Sequence, residues 1–144
     1  MLLKYSGVSM DNFSFNYLAI LLSSIAAFAI GAVWYSPALF FKPWAASLDK
    51  SEEELKKGVS PYSYVITFIA WFVSIYVLAR LFWFFGINSI ISGLRVTFLC
   101  WLGFGAATSL IHILFEGKKF LLWIINWGYI LVGLLVSSIL LTIW

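Results

Sequence analysis

The run NFSFNYLAILLSSIAAFAIGAVWYSPALFF, residues 12–41, contains no charged side chain. About 20 apolar residues suffice for a helix to cross the hydrocarbon core of a bilayer. Three further charge-free runs, 58–79, 96–115 and 120–144, reach or exceed that length. A backbone in hydrocarbon must satisfy its own hydrogen bonds, so each run is read as a helix. The expected fold is all-α: an integral membrane four-helix bundle forming one domain over residues 1–144, with helices at about 15–41, 62–85, 94–115 and 120–143. The runs are too long, and alternate too little, for the strands of a transmembrane barrel.

Composition agrees. The chain is 63% hydrophobic and 10% charged, against roughly 25% charged in soluble domains. A chain of 144 residues cannot hide that much apolar surface from water, because small domains leave much of their surface exposed. Ala27-Phe28-Ala29 has the form of a signal-peptidase site, but the run around it is longer than a signal-peptide core. The one cysteine, Cys100, falls inside the third helix and cannot form an intrachain disulfide.

Lysines set an orientation. The first and third connections hold Lys42, Lys50, Lys56, Lys57, Lys118 and Lys119; the opposite side holds Lys4, Arg80 and Arg95. The positive-inside rule then puts those two loops in the cytoplasm and both termini outside. Trp34, Tyr35 and Trp44 suit the cytoplasmic headgroup level, with Trp123 and Trp127 beside them from the fourth helix; Trp83 and Trp144 suit the other level. Pro37 lacks an N–H and disfavours helix at Ser36, so it should kink or end the first helix there. The pI of about 9.1 does not point to nucleic acid: the basic residues are few and interspersed with acidic ones, and contact with anionic lipid headgroups accounts for them. LDKSEEELKKG (48–58) reads as a short surface helix near 51–57, with Ser51 and Glu54 at capping-box spacing.

Ser23, Ala27 and Gly31 recur at four-residue spacing, as do Gly103 with Ala107, Gly105 with Ser109, and Gly133 with Ser137. Small residues so placed let membrane helices approach closely. They serve packing inside the bundle or self-association. Gly31-Ala32 precedes Leu39-Phe40 by the interval that separates Gly105-Ala106 from Ile113-Leu114, a rhythm that a duplicated hairpin or chance would produce.

Groups able to do chemistry are few. His112 and Glu116 lie one helical turn apart, yet near the water-facing end of the third helix. One His and one Glu fall short of the three protein ligands a zinc site usually needs. A hairpin turning near Gly117 would bring His112 level with Trp123, and Thr108 and Ser109 level with Asn126 and Trp127. Tyr129 would lie slightly deeper, and Tyr35 and Ser36 would join from the first helix. The outcome is a polar and aromatic cluster, read either as a ligand site or as hydrogen bonds between helices. Asn126 leads it, because an amide in a membrane helix needs partners. No paired intramembrane carboxylate, Ser-His-Asp set, phosphate loop or cysteine–histidine cluster can be assembled. The sequence therefore indicates no catalytic residue, metal or cofactor.

GAVWYSP (31–37) with the aromatic residues up to Trp44 resembles the first-helix signature of a family of small bacterial four-helix membrane proteins of unknown function. WLGFGAATSL (101–110), LFEGK (114–118) and LWIINWGY (122–129) resemble its later signatures, in order and at fitting spacing. The resemblance implies a bacterial inner-membrane protein and no established activity. It marks Trp34, Tyr35, Ser36, Pro37, Glu116, Gly117, Asn126 and Tyr129 as signature positions and leaves His112 outside the pattern. The expected role is a noncatalytic module that binds membrane lipids, a hydrophobic molecule or a membrane-protein partner, as a homo-oligomer. The alternative is a subunit of an oligomeric transporter or channel.

Overall fold

The computed structural model describes residues 16–144. The helix start at 15 and the charge of Lys4 lie outside them. Four helical spans are long and apolar enough to cross a membrane: Tyr17–Trp34, Pro61–Phe84, Ile90–Phe115 and Phe120–Ile143. We label the first α1, the second α4 and the fourth α7. The third is composite: α5 (Ile90–Cys100), a π-helical segment (Trp101–Ala106), then α6 (Ala107–Phe115). Two short helices, α2 (Phe41–Ser47) and α3 (Glu52–Gly58), fill the first connection. The architecture is an all-α, four-span membrane bundle.

Local chemistry sets the helix ends. Asn16 caps α1 by accepting from the Ala19 N–H at 3.0 Å. Where the sequence suggested a helix as far as 41, α1 stops at Trp34. Pro37 offers no N–H to continue the ladder. The N–H groups of Tyr35, Ser36 and Phe40 instead reach back to Gly31, Val33 and Trp34 carbonyls at 3.0, 3.1 and 3.1 Å. The chain restarts as α2, with Pro43 in its first turn, where an N–H is dispensable. Ser51 and Glu54 form the reciprocal capping box of α3. Pro61 takes the first position of α4 behind its Ser60 cap, the place a helix tolerates proline best. The third span starts at Ile90, earlier than the charge-free run suggested. Its cap is Ser89, which accepts from the Ser92 N–H at 3.3 Å, and exposed Arg95 is carried inside the helix.

Gly86 and Gly117 end helices in the left-handed region, at φ +61° and +64°. Next to each, a backbone N–H reaches back five residues: Ile87 to Phe82 at 2.8 Å, and Lys118 to Ile113 at 3.2 Å. Glycine suits this C-terminal motif because it has no Cβ to clash.

Helix α7 is the hub. It packs along α1 and α5 and also meets α2, α4, the π-helical segment and α6; α4 packs on α1. The third span is held most loosely: Gly93, Thr97 and Ala106 are its only buried residues. At one edge, the Lys119 ammonium bonds Asp49 Oδ1 at 2.6 Å and the Ala46 carbonyl at 3.1 Å, joining the first connection to the third. At the other edge, Asn16 Nδ2 lies 3.5 Å from the Trp144 carbonyl. The shared rhythm of the first and third spans does not become shared structure. Leu39 falls in a turn beyond α1, whereas Ile113 is still helical.

Candidate functional site

The small residues of α1 and α7 mark where rings are seated. A Cβ added to Gly31 would lie 2.6 Å from Tyr129 Oη, and one on Gly128 would lie 3.2 Å from the Trp34 ring. One on Gly133 would lie 2.5 Å from the Trp71 ring, and one on Gly105 would collide with Trp127. Each glycine is a socket, and each socket takes an aromatic ring from another helix.

Around these sockets the polar atoms bond one another. Trp71 Nε1 on α4 donates to Tyr129 Oη at 2.5 Å, and that hydroxyl donates to the Ala27 carbonyl of α1 at 3.2 Å. Tyr35, just past α1, donates to Asn126 Oδ1 on α7 at 2.8 Å. Trp34 Nε1 reaches the Ile125 carbonyl and Trp101 Nε1 the Trp127 carbonyl, each at 3.0 Å. The Tyr35 ring packs edge-on against Trp44 and Tyr129 at 5.3 and 5.5 Å between centroids, and Tyr129 against Trp71 at 5.5 Å. A ring set edge to face with its polar end bonded contributes more than its buried area alone.

The structure brings Trp34, Tyr35, Asn126 and Tyr129 into one cluster that joins α1, α4 and α7. Ser36 borders it through its backbone, accepting from the N–H groups of Leu39 and Phe41 at 3.0 and 3.3 Å. Thr108 and Ser109 serve the π-helical segment instead. Such a segment has wider turns than an α-helix and leaves carbonyls short of their usual donors. Thr108 Oγ1 lies 2.7 Å from the Phe104 carbonyl and 3.0 Å from that of Gly105, and Ser109 donates to Ala106 at 2.9 Å. Trp123 Nε1 donates to Ser109 Oγ at 2.9 Å. Ser109 therefore pairs with Trp123, one turn away from the level a symmetric hairpin would give it, because the long indole reaches that far.

His112 is exposed, and Glu116 ion-pairs with Lys118 outside the span. The Lys118 ammonium bonded to it holds the Glu116 carboxyl below the usual range, so it is a carboxylate at neutral pH. Among the described residues, no three His, Cys, Asp or Glu side chains gather as metal ligands.

Sequence reasoning missed Trp71. It is 5% exposed and sits in the middle of an apolar run, where its indole N–H was the only signal. Also unforeseen is an apolar groove of about 400 Å³ beside the cluster, lined by Ala26, Ala29, Ile30, Val33, Trp34 and Leu39.

Fold and cluster together define a multi-pass helical membrane protein whose polar groups tie helix to helix. The match is to proteins of unknown function designated DUF1761, over residues 18–142; the chain belongs to that family. No curated protein matches it, and no solved structure does.

Proposed function

We propose that this protein is a noncatalytic membrane module that binds a lipid, a hydrophobic small molecule or a membrane partner. We further propose that it sits in a bacterial inner membrane as an oligomer, with the lysine-bearing loops in the cytoplasm. One observation carries the reading. In the cluster where the signature residues Trp34, Tyr35, Asn126 and Tyr129 meet Trp71 of α4, the five side chains use their polar atoms on each other or on backbone. Groups committed this way fix a shape; a catalyst needs groups that change partners during reaction.

Binding would then depend on the shape, and loosening the cluster should release whatever is bound. Asn126→Ala and Tyr35→Ala should each change subunit count or retained molecules in native mass spectrometry of protein extracted with its lipid. Wild-type subunit count and wild-type content in both variants would overturn the proposal.

The loosely held third span favours a second reading, a subunit of an oligomeric transporter or channel. Its mid-span π-helical segment is of a kind often found at functional sites. Solute flux in proteoliposomes, lost on substituting Trp101 or Trp127, would decide for it.

A further inference from the structure

The groove on α1 has a definite chemistry. Its walls are alanine, isoleucine, valine and leucine plus the Trp34 ring, and the one polar atom of that ring, Nε1, is already bonded to the Ile125 carbonyl. A ligand seated there finds no donor or acceptor on a side chain. Ala26 and Ala29 form a shallow floor because their side chains stop at Cβ. Leu39 and Trp34 complete the lining, and the Trp34 ring lies tilted against Phe40 at 4.6 Å between centroids. At about 400 Å³ the groove falls within the roughly 300–1,000 Å³ of small-ligand sites.

Its place fixes the occupant. It runs along the last turns of a membrane-spanning helix, where the surrounding medium is acyl chain. Three residues after Leu39, Lys42 stands exposed in the first turn of α2. Among the described residues, Lys56, Lys118 and Lys119 each have a carboxylate partner; Lys42, Lys50 and Lys57 have none, and of these Lys42 is the one next to the groove lining in the chain. An apolar slot followed in the chain by an unpaired cation complements a molecule with a hydrocarbon tail and an anionic head.

We infer that this groove seats one acyl chain of an anionic phospholipid, with Lys42 at its phosphate. The inference rests on the binding-module reading and names its ligand class. Van der Waals fit to the chain supplies the contact, and the lysine supplies headgroup preference.

The test is native mass spectrometry of protein released from nanodiscs of equimolar phosphatidylglycerol and phosphatidylcholine. Wild type should retain one phospholipid per chain, enriched in phosphatidylglycerol. Ala29→Phe puts a ring on the groove floor in place of a methyl group, at a position exposed to the surrounding medium, and should abolish retention. Lys42→Gln should keep a retained lipid but reduce the phosphatidylglycerol preference about fivefold, the effect expected of one lysine near an anionic surface. Retention unchanged in Ala29→Phe, or the same headgroup preference in Lys42→Gln, would overturn the assignment. Retention of another molecule, insensitive to Ala29→Phe, would also overturn it and leave the module reading standing. A wild type that retains nothing and stays monomeric would remove both.

Discussion

Gly103 and Gly105 are two positions apart on one helix, and the tertiary environment gives them opposite meanings. A Cβ at Gly103 would meet nothing within 4 Å, whereas one at Gly105 would run into the Trp127 ring, with Cη2 at 3.0 Å. Gly103→Ala should therefore be neutral or stabilise by up to about 1 kcal/mol, the helix propensity gained. Gly105→Ala should cost about 1–3 kcal/mol as an overpacked contact. Reversible unfolding in mixed micelles measures both, and equal effects would contradict the socket. The same measurement applies to Tyr129→Phe. It removes the acceptor of the Trp71 N–H and the donor to Ala27, leaving a buried indole N–H unmatched. The expected loss is about 1–3 kcal/mol, and a loss near zero would mean that Trp71 finds another acceptor. From sequence alone, Asn126 was legible as a residue in need of a partner, but its choice of Tyr35 was not. Ninety-one residues separate the two, and only the packing of α1 on α7 brings them together.

At the scale of elements, chemistry written within a few residues was read directly. The capping box of α3 is an example: Glu54 Oε2 accepts from the Ser51 N–H at 2.8 Å, and Ser51 Oγ accepts from the Glu54 N–H at 3.2 Å. The bond from the Ser51 backbone holds the Glu54 carboxyl below its usual range. A depressed folded pKa means that the stabilisation is fully present above the unfolded value, about 4.3 for glutamate. It is lost as pH falls through the folded value. Amide exchange at the start of α3, corrected for intrinsic rates, should therefore accelerate only below that range. Glu54→Gln should flatten the pH dependence, and a pH dependence that persists in this variant would assign it elsewhere. The end of α1 was legible in part, because Pro37 foretold a break at Ser36. That the helix would stop at Trp34 depended on the Phe40 N–H finding the Trp34 carbonyl, a turn closure that the order of residues does not announce. The π-helical segment was not legible at all. Its contacts, the Trp101 indole on the Trp127 carbonyl and the Trp127 ring against Gly105, reach across the interface to α7.

At the scale of the molecule, the remaining prediction concerns orientation. With six lysines on the first and third connections, the proposal that those loops lie in the cytoplasm rests on the positive-inside rule. A C-terminal alkaline phosphatase fusion in a bacterial host should be active, and a C-terminal green fluorescent protein fusion dark. The reverse pattern would overturn the assignment.

Span number followed from the sequence, because hydrocarbon thickness demands a run of apolar residues that can be counted along the chain; the bounds shifted, with the first span ending at Trp34 and the third starting at Ile90. Which helix touches which did not follow. Lipid tails are as apolar as leucine, so burial from water does not choose partners within the bilayer. The choice falls to close fit and a few hydrogen bonds between distant residues. Those are the ring of Tyr129 over Gly31, the ring of Trp71 over Gly133, and the indole of Trp34 on a carbonyl of α7. They make α7 the hub, a property of the assembled bundle that no single segment carries.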